Sequence, residues 1–217
     1  MVLPFDKIYF ISLEKSSGLK RRSALLKQFE DLGIENQLEW VKASDGSNPS
    51  HPVDNSFRKA KLRRGSLSMS EIGCFESHRT VWKKFQESGL QTCLILEDDA
   101  LFKDADTVYR INFLPVEWDL IHFGFIRNKA SIVDSLETIR SETFEGLWSG
   151  SGMWLSHAYA INQTACKTLL QETETQIGGL DWQWTGIQGR FKSLGFMPGL
   201  IIQQPISKFP SQIHHTS

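Results

Sequence analysis

Residues Cys93–Phe102 read CLILEDDALF. Four apolar or thiol residues run directly into Glu97, Asp98 and Asp99, and the chain then turns apolar again. The apolar run has the length and character of a buried strand. Adjacent carboxylates about 4 Å apart repel by roughly 4 kcal/mol at an effective dielectric near 20. A buried strand end therefore holds three of them only with help from solvent, a basic neighbour, a shared proton or a divalent cation. In open α/β sheets, ligands bind in the crevice beyond the carboxyl ends of the strands. Strand alternation sends Glu97 and Asp99 to one side and Asp98 to the other, and an E-x-D pair suits a hard cation such as Mg²⁺ or Mn²⁺ beside a diphosphate. A solvated acidic turn leading into the next helix is the competing reading.

Working outward, the segments alternate in type. KIYFISL (residues 7–13) reads as a strand, and GLKRRSALLKQFEDLG as a helix with apolar Leu19, Leu25, Leu26, Phe29 and Leu32, stopped at Gly33. NQLEWVKA reads as a second strand. That rhythm predicts a parallel α/β unit. SLSMSEIGCFESHRTVWKKFQESG is the clearest helix, with Ser68 and Glu71 spaced as a capping box and Gly89 as its stop. WDLIHFGF (residues 118–125) is a further strand, and TFEGLWSGSGMWLSHAYAI one or two strands around a Gly/Ser turn. NQTACKTLLQE is a helix capped by Asn162, IGGLDWQWTGIQGRFKSLG a turn and helix, and LIIQQ a late strand. Residues 44–66 read as a loop or short helix, and 127–142 as a surface loop. With no repeat and no linker, residues 1–217 form a single expected domain.

Bulk composition narrows the function. Twenty-four basic and 25 acidic residues give a net charge of -1, which excludes an electrostatic nucleic-acid binder. No window approaches the roughly 18 apolar residues of a membrane-spanning helix. The opening MVLPFDKIYFISL lacks the basic leader and long apolar run of a signal peptide. Cys74, Cys93 and Cys166 are scattered and odd in number, and read as buried free thiols in a reducing compartment, not as a disulfide framework or zinc site. The expected location is cytoplasmic, extending to the inner face of the membrane.

Several stretches together carry a resemblance. IYFISLEKSSGLKRR, LSMSEIGCFESHRTVW, LILEDDALF, WDLIHFGF, SHAYAINQTACKTLL, GLDWQ and SQI occur in the order seen in glycosyltransferase family 25. That family includes lipooligosaccharide-type and collagen galactosyltransferases. The resemblance implies a GT-A nucleotide-diphospho-sugar transferase fold, a Rossmann-like mixed sheet flanked by helices. It implies inverting transfer of a sugar, galactose from UDP-galactose, onto a glycan such as lipooligosaccharide or another lipid-linked oligosaccharide. It also implies Mn²⁺ or Mg²⁺ bound at the family's acidic motif, here Glu97-Asp98-Asp99. On that basis Asp99 is the first choice of metal ligand, with Glu97 beside it and Asp98 and Glu97 also available to the donor.

Other residues carry two readings each. Arg21 and Arg22 are a phosphate-binding fork or a solvated helix face. Ser12 and Leu13 are candidate backbone contacts to the nucleobase. Glu71 and His78 are donor-site groups, or a capping residue and a core histidine. Asp181 is the general base or an ordinary N-cap. Ser211 and His214 are late candidates for donor and metal contact, and His214 lies in a terminal HH that also fits a loose tail. His157 falls within one of the matching stretches. Gly150 and Gly152 admit a donor sugar or make a turn. Trp148, Trp154, Trp182 and Trp184 stack on sugars or fill the core. The basic run Arg58, Lys59, Lys61, Arg63 and Arg64 contacts an anionic acceptor or membrane surface, or is simply solvated. A non-catalytic nucleotide-sugar or glycan-binding module is the alternative function, and a metal-dependent phosphate hydrolase a third.

Overall fold

The structure, a computed structural model, describes residues 1–34, 38–56, 66–115, 117–127, 136–139 and 145–204. Ser211, His214 and the basic run at Arg58, Lys59, Lys61, Arg63 and Arg64 lie outside the described residues.

The first half builds the expected parallel unit. β1 (Lys7–Ser12) pairs in parallel with β2 (Leu38–Lys42) on one side and with β3 (Thr92–Glu97) on the other. α1 (Ser16–Asp31) connects β1 to β2, and α2 (Met69–Ser88) connects β2 to β3. Because β1 lies between β2 and β3, the two connections diverge, and a crevice opens between the carboxyl ends of β1 and β3. Alternation along these strands is clean. Ile8, Phe10, Leu94 and Leu96 join one core, while Tyr9, Ile11, Cys93 and Ile95 join a second on the opposite face.

The remaining strands are β4 (Ala100–Phe102), β5 (Leu120–His122), β6 (Ile126–Arg127), β7 (Glu137–Thr138), β8 (Leu147–Ser149), β9 (Met153–Trp154), β10 (Ala158–Asn162), β11 (Ser193–Phe196) and β12 (Ile201–Gln203). The helices are α3 (Ala105–Ile111), α4 (Gln163–Glu172) and α5 (Leu180–Thr185). The main sheet runs β2-β1-β3-β10-β5-β11-β8-β7. β10 is antiparallel to both its neighbours, which makes the sheet mixed, as expected. That reversal matters for the site. β10 begins at the edge where β1 and β3 end, with Ala158 opposite Leu96.

Local signals behave as their chemistry demands. Ser68 and Glu71 form the complete capping box of α2, and Gly89 ends it at φ 70°. Asn162 caps α4 by accepting from the Ala165 N–H at 3.0 Å. Six expectations need correction. Arg21 Nη1 reaches both Asp98 and Asp99, so these two share a side while Glu97 turns toward α2, against the expected alternation. β7 (Glu137–Thr138) falls within the stretch 127–142 read as a loop. Leu19 and Leu26 of α1 face solvent, and the buried stripe instead takes in Leu25, Phe29 and Arg21. The expected strand over residues 118–125 is confined to Leu120–His122. TFEGLWSGSGMWLSHAYAI forms three strands, β8, β9 and β10. KSLGF, read as the end of a helical segment, contributes β11 at the centre of the sheet's second half. Among the described residues no helix is long and apolar enough to cross a membrane.

Candidate active site at the sheet edge

The three carboxylates sit where the crevice opens, and their environments differ. Asp98 is enclosed. Ser12 Oγ, at the end of β1, donates to its Oδ2 at 2.8 Å, and Arg21 Nη1 donates to its Oδ1 at 3.2 Å. Burial still raises its carboxyl above the usual range, against the pull of Ser12 and Arg21.

Asp99 is buried as deeply but served less well. Its Oδ2 accepts from Gln203 Nε2 at 3.0 Å and, at 3.5 Å, from Arg21 Nη1. Its Oδ1 is buried with no hydrogen-bond partner among the described residues. Burial first, and the neighbouring Glu97 charge second, push this carboxyl up to about 7. The backbone is fixed by the Gln204 N–H donating to the Asp99 carbonyl at 2.8 Å.

Glu97 turns toward α2 and the start of β10. Ser156 Oγ donates to its Oε1 at 2.5 Å, and His78 Nε2 lies 3.3 Å from the same oxygen without forming a hydrogen bond. Burial pushes this carboxyl up, but His78, Ser156 and the nearby His157 outweigh it and hold it below the usual glutamate range. His78 is itself held from behind: its Nδ1 is 2.8 Å from Tyr159 Oη, which also accepts from Trp82 Nε1 at 2.8 Å.

Asp181 faces the same space from α5. It lies in the first turn, but the N-cap is Gly179, which corrects the reading of Asp181 as an ordinary cap. Its Oδ2 instead accepts from the Leu155 N–H at 3.2 Å. Leu155 has φ 89°, a left-handed conformation costly for a branched residue, so the backbone is strained at the point where it grips Asp181. Although Asp181 keeps part of its surface in solvent, the crowding of protein atoms, followed by the Glu97 charge, pushes its carboxyl up to about 6. Glu97, Asp99 and Asp181 thus form one electrostatic unit, and all three charges also act on the Cys74 thiol.

Several expected contacts are spent elsewhere. The Ser12 carbonyl accepts from the Ala43 N–H at 2.9 Å and from Trp40 Nε1 at 3.1 Å, so it has no lone pair left for a nucleobase. The Leu13 carbonyl is covered by the start of α1, where a Cβ at Gly18 would stand 2.0 Å from it. Only glycine permits that approach. Arg21, read as a diphosphate fork, is consumed by Asp98 and Asp99. Its neighbour Arg22 sits over Trp40, its Cζ 4.0 Å from the ring centroid, with Nη1 buried and without a hydrogen-bond partner among the described residues. Glu71 serves the capping box of α2, its Oε2 accepting from Ser68 N–H and Oγ at 2.9 Å each. Gly150 and Gly152 adopt φ 119° and 98°, as the turn between β8 and β9 demands. Trp184 is core, whereas Trp148, Trp154 and Trp182 are half-buried.

Residues not singled out by sequence complete the site: Ser156, Leu155, Tyr159 and Gln203. Ser156 and His157 precede β10, and only the antiparallel placement of that strand brings them beside Glu97. The Glu97 N–H donates to the His157 carbonyl at 2.8 Å, and His157 Nε2 lies 3.0 Å from the Ile201 carbonyl.

Comparison with known proteins shows the family. A Glycosyltransferase 25 family member from Aedes aegypti is 30% identical over 194 residues, covering 78% of this chain and 29% of that protein. Procollagen galactosyltransferase 2 from Homo sapiens is 31% identical over 134 residues, covering 55% of this chain and 21% of its own length. Inactive glycosyltransferase 25 family member 3 from Mus musculus is 26% identical, covering 76% of this chain and 29% of that protein. The chain therefore spans under a third of the length of these relatives. Residues 5–182 match the profile of Glycosyltransferase family 25 (LPS biosynthesis protein). The chain belongs to glycosyltransferase family 25.

Proposed function

We propose that this chain is an inverting glycosyltransferase that moves a hexose, galactose from UDP-galactose, onto a glycan acceptor such as a lipooligosaccharide. The observation that carries the reading is the pairing, across one crevice, of a hydrogen-bond-deficient carboxylate (Asp99) with a second raised carboxylate (Asp181). Their elevated values mark groups whose charge the fold leaves uncompensated, a pattern concentrated at functional sites.

The donor set fits a hard divalent cation. Asp99 Oδ1 is an orphaned buried oxygen, and Glu97 keeps an oxygen that neither Ser156 nor His78 uses, whereas both oxygens of Asp98 are taken. Asp99 and Glu97 would hold Mn²⁺ or Mg²⁺, with His214 a further ligand on the family resemblance. When bound, the ion supplies Lewis-acid neutralisation of the departing nucleotide diphosphate. Arg22, with Nη1 unpartnered, adds positive charge for the same group.

Asp181 performs the proton chemistry. Leu155 fixes Oδ2, so the other oxygen takes the acceptor hydroxyl proton as the acceptor oxygen attacks the anomeric carbon. A carboxyl near 6 is ionised at neutral pH yet more basic than an exposed aspartate, which suits a general base. Half-buried Trp148 and Trp154 offer apolar faces to sugar rings, with a cytoplasmic or inner-membrane-face setting matching a lipid-linked acceptor.

The inactive mouse relative favours a second reading, a nucleotide-sugar-binding module without turnover. UDP release from UDP-galactose with Mn²⁺ present, with and without acceptor, separates the two. Turnover that falls roughly 10²- to 10⁴-fold in Asp181→Asn with donor affinity kept supports the enzyme. Donor binding without turnover in the wild type supports the module.

A further inference from the structure

We propose that Cys74, His78 and Glu97 form a seat for a thiophilic divalent cation of the Zn²⁺ class, distinct from the oxygen-only pair of Asp99 and Glu97. Cys74 Sγ, a ring nitrogen of His78 and a Glu97 carboxylate oxygen lie within 4.8 Å of one another. Scattered cysteines without a C-x-x-C spacing give no such signal in sequence. The fold assembles it, because Cys74 and His78 stand four residues apart on one face of α2 and β3 delivers Glu97 opposite them.

His78 points independently to a ligand. It is almost wholly buried, and its Nε2 makes no hydrogen bond among the described residues. That nitrogen stands 3.3 Å from Glu97 Oε1, a separation matching two ligands about 2.0–2.1 Å from one tetrahedral zinc. A buried ring nitrogen that stands beside a carboxylate oxygen and within 4.8 Å of a thiol, outside hydrogen-bond geometry to either, is placed where a metal ligand would be.

The surroundings supply the orienting partner. A metal-ligating histidine donates its other ring N–H to an acceptor, which fixes its tautomer. Tyr159 Oη, 2.8 Å from Nδ1 and accepting from Trp82 Nε1, is the partner that would accept from the Nδ1 N–H in the ligating tautomer. With Nδ1 carrying the proton, Nε2 presents its lone pair to the ion. Binding displaces the Cys74 thiol proton to solvent, since thiolate is the ligating form. Three protein ligands leave a fourth position open. Sulfur and imidazole select zinc over magnesium or manganese, so the two cation classes divide between the two sides of Glu97. Glu97 belongs to both, with Oε1 on the side of His78 and its other oxygen on the side left to Asp99.

The seat is tested without reference to turnover, so it stands or falls separately from the transferase reading. Co²⁺ added to the purified chain should produce thiolate-to-cobalt charge-transfer absorption in the wild type and in Asp99→Asn. The band should disappear in Cys74→Ser, and Tyr159→Phe should weaken the metal roughly 10- to 100-fold. X-ray absorption of the zinc-loaded wild type covers the case in which a variant fails to fold. One sulfur near 2.3 Å with nitrogen and oxygen near 2.0–2.1 Å is the expected shell. A shell of nitrogen and oxygen only, no cobalt thiolate band, or a band that survives Cys74→Ser would each overturn the proposal.

Discussion

Asp98 and Asp99 are consecutive, equally buried and share Arg21, yet they face different problems. Asp98 is satisfied at both oxygens, by Ser12 at the end of β1 and Arg21 on α1. Asp99 shares the longer arm of Arg21, leans on Gln203, and leaves Oδ1 without a partner. A carboxylate with complete hydrogen bonding ties two strands and a helix together. One with an orphaned oxygen is held at a cost that a bound proton relieves, or, in the proposed function, a cation. One acidic motif thus contains a member with both oxygens satisfied and a member with one oxygen left over, and the proposed function gives the second the chemical role.

The largest test of that division is kinetic. Asp181→Asn and Asp99→Asn should each lose transfer activity by roughly 10²-fold or more while remaining folded. Next comes the structural side. Arg21→Met strands two buried carboxylates, and loss of one partner from a buried pair costs about 3–5 kcal/mol. Chemical denaturation should register that loss, and an Arg21→Met chain as stable as wild type would dissolve the distinction.

A third test uses pH. The folded value of Asp99, about 7, lies above its ordinary 3.8, so the folded chain holds a proton that the unfolded chain has released. Stability from this group is fully present below about pH 4 and is lost as pH rises to about 7, on the order of 3 kcal/mol. Asp181 acts in the same direction, up to about 6. Glu97, held low, acts oppositely, with stability present above its ordinary 4.5 and lost as pH falls through its folded value, so its window lies below theirs. Metal-free protein should therefore melt at lower temperature at pH 8 than at pH 5, and Asp99→Asn should flatten the slope. The smallest effect concerns scaffolding. Ser68→Ala removes the α2 cap and should cost about 1 kcal/mol without altering the pH profile.

Much of this was legible in the chain. The strand CLIL, its acidic end, the capping box of α2 and the Asn162 cap are local signals, decided within a few residues, and the structure keeps them. The assignment of roles within Glu97-Asp98-Asp99 was not legible. Asp98 is claimed by Ser12, 86 residues earlier, and by Arg21, 77 residues earlier. Arg21 itself misled because an Arg-Arg pair does not report which member turns inward, and α1 buries Arg21 while exposing Leu19 and Leu26. Ser156, Tyr159 and Gln203 carry no motif of their own; they reach the site because β10 runs antiparallel and β12 returns to β4. β11 was missed because SLGF is short and contains glycine, a weak strand signal that burial on both faces overrides.

Manganese affinity compared between Asp99→Asn and Asp98→Asn, read by paramagnetic resonance in the presence of UDP, bears most directly on the contrast between the two carboxylates. Loss of bound Mn²⁺ in Asp99→Asn, with the ion retained in whatever fraction of Asp98→Asn stays folded, is the predicted result. Undiminished Mn²⁺ binding by Asp99→Asn would contradict it.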